Sequence, residues 1–391
     1  MGKEDLITKR MVHKELVIDL TPMAGPTIFL DLEHRDFTFN AMAFGLHDNT
    51  FHDPFGGWSA LERRQVNCVN PKNLLRDPLR ILRAARLALE LECTLPTTTM
   101  TAMMAASEHL TKVAKERIGL ELQRIMAHPL THGGLQILLD CKALSAIFPF
   151  LASLENLEQN EFHHLNVLQH TMLVIEKIDA LLADNPFDEI ELQLEEKAIL
   201  KWAGLFHDTG KALAKTVDSE TGQIHFYGHE RFSAHLARER LNPLGLGKQL
   251  ISRIVNLIEY HLIPLQLTFS EPKNKTIRKL VYNAGENLPL LLFLVLADTK
   301  ATGGKEFASR LKNIKSLCRK LLTVYCQERN SLIKPLVNGK DLLALGLSPG
   351  PRMGKIIRAI HQRQINGECS DRQAALALAK KLVATSSSTT S

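Results

Sequence analysis

The sequence predicts a mainly α, multi-domain protein in which a small, incomplete α+β segment precedes a long helical body. Three observations predict it. At 391 residues the chain exceeds what one ordinary core organises, so two to four domains are expected. Hydrophobic content of 45% and charged content of 23% are those of a folded globular protein, which excludes a disordered or fibrous chain. From Asn73 onward, apolar residues recur at helical rather than alternating spacing.

The β flavour is confined to residues 14–60. KELVIDL, PTIFLDL and FTFNAMAFGL are separated by turn signals at Pro22, Gly25-Pro26 and His47-Asp48-Asn49, so three or four short strands are expected there. They are too few to enclose a substantial core alone. LLRDPLRILRAARLALEL then reads as helical, with Arg76, Arg80, Arg83 and Arg86 forming a polar stripe. Further helices are expected at roughly 100–108, 114–126, 133–145, 165–182, 194–207, 229–241, 248–261, 275–284, 290–297 and from after Gly303 to about 328. PLVNGKDLLALGLSPGPRMGKIIRAI opens a separate helical unit, and ATSSSTTS reads as a frayed polar tail. The expected domains are 1–60, 61–150, 151–330 and 331–391.

Forty-eight Lys and Arg against 42 Asp and Glu make the chain mildly basic, at +6. Residues 331–391 hold nine basic and three acidic side chains, equivalent to the whole excess. Such a tail suits a polyanion, and a solvated helix face would look the same. Six scattered cysteines without a Cys-x-x-Cys pair read as reduced thiols. The charged start MGKEDLITKRMVHKEL lacks the apolar core of a signal peptide, and no apolar run approaches 18 residues. No membrane and a reducing cytoplasm are therefore expected.

The strongest chemical signal is LKWAGLFHDTGK, where an apolar helix ends in His207 and Asp208, followed by Gly210 and Lys211. Adjacent side chains there stand about 100° apart around the axis, two metal-ligand types at one helix end. His170, His229, His261 and Asp298 lie at helix-compatible positions around it. Nitrogen and carboxylate ligands in this mixture suit magnesium or a divalent transition metal, Mn²⁺, Ni²⁺ or Co²⁺, and Asp208 could bridge two ions. Water activated by the metal is the expected nucleophile. His163, His164, His225 and His235 have no helix-spaced support and are left out.

The series His170, His207-Asp208, Asp298 with Gly210-Lys211 resembles the HD phosphohydrolase superfamily, and His229 and His261 resemble the added ligands of its two-metal members. That resemblance implies His170, His207, Asp208 and Asp298 as ligands of a first metal. It implies His229 and His261 for a second, Lys211 on a phosphate, and hydrolysis of phosphate esters.

A second resemblance lies upstream. Glu33-His34-Arg35-Asp36-Phe37-Thr38-Phe39-Asn40-Ala41, His52-Asp53-Pro54-Phe55-Gly56-Gly57 and Asp77-Pro78-Leu79-Arg80-Ile81-Leu82-Arg83-Ala84-Ala85-Arg86 look like motifs of the bacterial CCA-adding tRNA nucleotidyltransferase and poly(A) polymerase family. The HD segment and the tail Asn338-Gly339-Lys340-Asp341-Leu342 match its HD-containing members, and the similarity runs from about Leu16 to Val383. It implies Arg35 and Asp36 at the ribose of an incoming CTP or ATP, Asp77 and Arg80 reading its base, Arg83 and Arg86 facing phosphates, and the tRNA acceptor end as partner. An acceptor-only carboxylate and a forked guanidinium one turn apart suit a base edge.

Departures from the family pattern shape the expected function. No Asp-x-Asp pair occurs, Asp19 in LVIDL being the residue that matches the third catalytic acid, and His34 and Arg76 replace the usual Arg and Glu. The chain therefore reads as a family member with a truncated head, and the expected activity is RNA-associated, metal-dependent HD phosphohydrolysis catalysed by Asp208 and Lys211, with nucleotidyl transfer by this chain alone absent. The alternatives are the body of a CCA-adding or poly(A)-adding enzyme whose head is on another chain or missing from this sequence, and a non-catalytic RNA-binding module.

Overall fold

The computed structural model describes residues 8–157, 165–303 and 307–385. His163, His164 and the end of the polar tail lie outside them. Two compact units emerge, Met1–Ser153 with Pro243–Leu246, and Leu154–Asn242 with Gly247–Ser391.

The first unit opens with an antiparallel hairpin, β1 (Lys9–His13) and β2 (Leu16–Leu20). PTIFLDL, expected as a strand, is helix α1 (Ile28–Glu33) instead. A short apolar run is ambiguous by period, and capping decided it: Thr27 Oγ1 accepts the Leu30 N–H and Asp31 accepts that of Ala24. FTFNAMAFGL forms a 3₁₀ turn (Thr38–Asn40) and the two-residue β3 (Ala43–Phe44), paired with β4 (Phe51–His52) across the expected His47-Asp48-Asn49 turn. Helices α2 (Gly57–Glu62), α3 (Pro71–Arg76), α4 (Arg80–Glu90), α5 (Thr97–Ala106), α6 (Lys115–Ala127), α7 (Thr131–Asp140), α8 (Ala143–Ile147) and α9 (Leu151–Glu155) follow. The arginine stripe is split between α3 and α4 because Pro78 drives Asp77 out of the helical region, to φ −133°, ψ 89°. Residues Pro243–Leu246 also belong to this unit and seat on α6, where a Cβ at Gly119 would meet the Leu244 carbonyl oxygen at 1.9 Å.

In the second unit, α10 (Val167–Asp184), α11 (Leu194–Phe206), α12 (Lys211–Ala214), the hairpin β5 (Thr216–Val217) and β6 (Ile224–His225), α13 (His229–Leu241), α14 (Lys248–Tyr260), α15 (Leu262–Leu267), α16 (Asn274–Ala284) and α17 (Leu288–Thr302) lead to the long α18 (Phe307–Ile333). The run Asn274–Thr302 is long and apolar enough to cross a membrane, but 72% of its window is buried in the protein. Hydrophobic all round, α17 is instead the central helix against which α10, α11 and α18 pack. The tail helices α19 (Gly339–Ala344), α20 (Pro351–Ile365) and α21 (Arg372–Thr385) share a small core of Val337, Leu342, Ile356, Ile360 and Ala375.

Candidate functional site

In the second unit, six side chains from five places in the chain converge. His170 stands in the first turn of α10, His207 and Asp208 just past the end of α11, His229 at the start of α13, His261 just past α14, and Asp298 on α17. All six are buried. Their candidate ligand atoms form two groups, His170, His207 and Asp298, and Asp208, His229 and His261, each within 4.8 Å of one another.

The ring tautomers follow from the backbone. Each of His207, His229 and His261 donates Nδ1–H to a carbonyl three residues earlier, those of Gly204, Phe226 and Ile258, at 2.7–2.8 Å. In the neutral ring Nε2 is then an acceptor in each, and among the described residues all three Nε2 atoms are buried without a hydrogen-bond partner. Asp208 faces both groups. Its Oδ1 lies 3.1 Å from His229 Nε2 and 3.9 Å from His261 Nε2; its Oδ2 lies 3.4 Å from His207 Nε2, 3.6 Å from His170 Nε2 and 2.6 Å from Lys211 Nζ. Asp298 Oδ1 is 3.0 Å from His170 Nε2. Three orphaned lone pairs around two carboxylates are a donor set that fits a divalent cation.

Local sequence builds this corner. Gly210 is required because a Cβ there would meet the His229 carbonyl oxygen at 2.4 Å, and its N–H donates to Ser233 Oγ at 2.8 Å. Gly228, at φ +74°, turns the chain so that His229 opens α13 facing inward. A cavity of about 400 Å³ opens on the cluster, lined by Lys211, Tyr227, Gln266, Thr302 and Arg310 among others. Tyr227, Gln266, Ser233 and Arg310 carry no spacing signal in the sequence.

Electrostatics reflect the crowding. Burial works against the Asp208 charge, but His207, Lys211 and His229 outweigh it and hold the carboxyl well below the usual range. Burial likewise opposes the Asp298 charge and His170 and His207 outweigh it. Burial, reinforced by His207 and His229, pushes His261 down to about 3. Burial also opposes charge on His207, but Asp208 and Asp298 win and raise it.

The signs give a stability prediction for metal-free protein. An unfolded imidazole titrates near 6.5. Between about pH 6.5 and 3 the unfolded chain binds a proton at His261 that the folded chain refuses, so acidification through this window destabilises the unit. His207 acts oppositely, its stabilisation complete below 6.5 and lost as pH rises through its folded value. Urea midpoints in chelator, followed by the buried Trp202, are expected to fall from pH 6.5 to 5, and His261→Gln to flatten that fall. A midpoint equally steep in His261→Gln refutes the assignment.

The first unit holds the other predicted residues. Asp36 is buried and accepts from Phe37 N–H (2.9 Å), Asn40 Nδ2 (3.1 Å) and Arg83 Nε (3.0 Å). Asn73 Nδ2 bridges the carbonyls of Glu33 and Arg35, tying that loop to α3. Arg35 pairs with Asp31 at 2.7 Å. Arg86 is buried, its Nε 2.7 Å from Glu121 Oε2 and its other arm on Glu90. The geometry thus brings Arg83 and Asp36 together, whereas Arg86 is committed to carboxylates. Asp77 is 3.4 Å from Arg117, and Arg80 is half-buried and makes no side-chain hydrogen bond among the described residues; burial lowers its pKa against the pull of Asp36 and Asp77. Sequence reading missed Asn40, Asn73, Arg117 and Glu121, whose partners lie 4 to 40 positions away without a repeating period. Asp19 is exposed and held by Arg10 at 2.7 Å through both oxygens. Among the described residues no second acid joins it in a ligand cluster, so Asp19 by itself does not make a metal site.

Comparison with known proteins decides the family. Over 378 residues, 95% of this chain and 83% of the relative, the sequence is 32% identical to an A-adding tRNA nucleotidyltransferase of Deinococcus radiodurans. The chain belongs to the CCA-adding tRNA nucleotidyltransferase family. A CC-adding tRNA nucleotidyltransferase of Thermus thermophilus is 30% identical over 94% of this chain and 80% of its own length. The family's poly(A) polymerase head domain matches residues 4–67, a probable RNA-binding site of the polymerase matches 94–155, the HD domain matches 162–302 and a tRNA nucleotidyltransferase domain 2 matches 233–379. In fold, a Thermotoga maritima CCA-adding enzyme complexed with tRNA is similar, with TM-score 0.60, 18% identity, and coverage of 98% of this chain and 80% of that one.

These matches correct two expectations. Primary HD phosphohydrolysis, and the absence of nucleotidyl transfer, are overturned, because the relatives aligned along nearly the whole chain are nucleotidyltransferases and head-domain sequence lies within this chain. The reading of Asp208 and Lys211 as catalysts of that hydrolysis loses its basis with it. The complete ligand cluster and the missing Asp-x-Asp outweighed the head and neck motifs in the sequence reading. Completeness of a donor set bears on cation binding, and says nothing of which reaction a multi-domain chain performs.

Proposed function

We propose that this chain adds nucleotides to the 3′ end of tRNA. The single observation that carries the reading is the similarity, along 94–95% of this chain, to one A-adding and one CC-adding nucleotidyltransferase. CTP and ATP are the substrates, a divalent cation the cofactor, and the tRNA acceptor end the partner, in a reducing cytoplasm to which the six free cysteines are suited. Residues 1–60 act as head, 61–150 as nucleotide-reading neck, 151–330 as HD body and 331–391 as a basic RNA-facing tail.

In the neck, Asp77 and Arg80 read the base. Arg80 is suited to it because its guanidinium is half-buried and, among the described residues, hydrogen-bonds to no other side chain, leaving its donor fork for a ligand. Arg35 and Asp36 hold the ribose, Arg83 orients Asp36 and meets phosphate with its free edge, and Arg86 positions α4 on α6 through Glu121. In the HD body, His170, His207, Asp208, His229, His261 and Asp298 hold one or two divalent cations, Mg²⁺, Mn²⁺, Ni²⁺ or Co²⁺, whose charge would bind phosphate oxygens beside Lys211.

The test supplies labelled CTP or ATP with Mg²⁺ to three tRNA transcripts, ending at the discriminator base, after CC, and after CCA. Incorporation into the first or second is expected, and which of them is extended, with which nucleotide, separates CC addition, A addition and CCA addition. No incorporation into any transcript refutes the reading. Arg80→Ala is expected to lower kcat/KM for the nucleotide about 10–100-fold, the worth of a good bidentate base contact, and to relax the choice between CTP and ATP. Unchanged selectivity at steady state would remove Arg80 from base reading.

A further inference from the structure

We propose that the Lys201–Asp179 ion pair is the register key of the α10–α11 helix hairpin, two positioning residues that set where His170 stands against His207 and Asp208. The inference rests on the reading of that cluster as a cation site.

Lys201 is 1% exposed and Asp179 8%, with Nζ 3.1 Å from Oδ1, in a helix pair where Ile175 and Ile178 of α10 lie against Gly204 of α11. Burial pushes the Lys201 pKa down and Asp179 opposes it. A buried ion pair adds little net stability, because desolvation of both charges offsets their attraction, and an apolar pair of similar volume serves as well. What apolar residues do not supply is uniqueness. Two helices meeting through apolar side chains exchange similar contacts when one slides by a turn, about 5.4 Å, whereas a slide of that size parts the buried ammonium from the carboxylate it meets.

A second observation marks the same face. Gly204, one turn beyond Lys201, lies under α10 so closely that a Cβ there would come 2.6 Å from Ile178 Cδ1 and 3.1 Å from Ile175 Cδ1. Its carbonyl also accepts His207 Nδ1–H at 2.8 Å. Close approach, ion pair and ring orientation thus occupy consecutive turns of α11. Asp208 is seven residues beyond Lys201, about 10 Å of helix, and His170 nine before Asp179, about 13 Å. The hairpin carries three of the six candidate ligands, so a slide anywhere along it moves His170 against Asp208.

The experiment compares wild type, the apolar double variant Lys201→Met with Asp179→Leu, and the swapped variant Lys201→Asp with Asp179→Lys. Mn²⁺ affinity is read by calorimetry, unfolding by Trp202 fluorescence in urea, and the His170–Asp208 spacing by crystal structures. The apolar variant is expected to keep or raise its urea midpoint while Mn²⁺ binding weakens about tenfold or more and the spacing shifts; the swapped pair restores both. A merely structural pair would move the midpoint alone. Wild-type Mn²⁺ affinity with unchanged spacing in the apolar variant overturns the proposal. If wild type binds no Mn²⁺, the cation reading fails separately, and the spacing in the apolar variant still decides the register claim. Should that variant not fold, Asp179→Glu, which lengthens one arm by a methylene, carries the same readouts with a smaller shift expected.

Discussion

Asp208→Asn will abolish divalent-cation binding in the second unit and unfold that unit at markedly lower urea. The reason is the double orientation of one carboxylate. Oδ1 faces His229 and His261, Oδ2 faces His170, His207 and Lys211, so this side chain belongs to one ligand group and faces the other. Asparagine keeps the shape but removes the charge and replaces one oxygen with an amide donor: turned toward Lys211 it opposes an ammonium, and turned toward His229 and His261 it occupies the Nε2 lone pairs a cation would take. Either orientation removes a cation ligand. Lys211 is nearly buried and loses its partner at 2.6 Å, a change that costs roughly 3–5 kcal/mol in comparable buried pairs. His229→Ala, by contrast, removes one ligand from one group and should weaken binding there while leaving His170, His207 and Asp298 in place. Co²⁺ absorption titrations and urea unfolding of the two variants side by side check this. Equal affinities for Asp208→Asn and wild type would show that the carboxylate bridges nothing.

Glu121→Ala will destabilise the first unit by roughly 3–5 kcal/mol, a large share of what a domain of this size possesses. Glu121 is buried on α6 and accepts Arg86 Nε at 2.7 Å, with Arg83 at 3.9 Å and Arg124 at 3.6 Å around its other oxygen. Arg83 in turn reaches Asp36 at 3.0 Å. One carboxylate therefore anchors the arginine stripe of α4 and, through Arg83, the Arg35-Asp36 segment. Alanine leaves Arg86, itself buried, with only the more exposed Glu90, and a buried guanidinium cannot shed its proton to escape the cost. Glu121→Gln, which keeps an acceptor without the charge, should cost clearly less. Urea unfolding by far-ultraviolet circular dichroism, with Trp58 fluorescence reporting this unit, measures both. Equal midpoints for Glu121→Ala and wild type would refute the account.

The longer helices α5, α6, α10, α11, α13, α14 and α16 were legible to within a few residues because each carries its own period and end signals, and α13 began and ended where expected. The range 133–145, by contrast, divides into α7 and α8, and the short α9, α12 and α15 were not expected. The N-terminal strands were less so: in PTIFLDL a threonine cap and an aspartate, both local but neither periodic, overrode an apolar run that suited a strand equally. His207 and Asp208 stood out because His170, His229, His261 and Asp298 lie at helix-compatible positions on both sides of them. Arg86 read as a phosphate contact because its stripe position is visible, while its partner Glu121, 35 residues away on another helix, is not.

Sequence alone determined which ligand types this chain owns, their order, the helix ends that present them, and the motifs that identify its family. Tertiary structure alone decided which oxygen of Asp208 meets which imidazole, that Glu121 claims Arg86, and that Lys201 finds Asp179. The division has one cause. Helical period and capping act over three or four residues and leave a trace in the chain, whereas a pairing between distant helices depends on their register and approach, which no local pattern encodes.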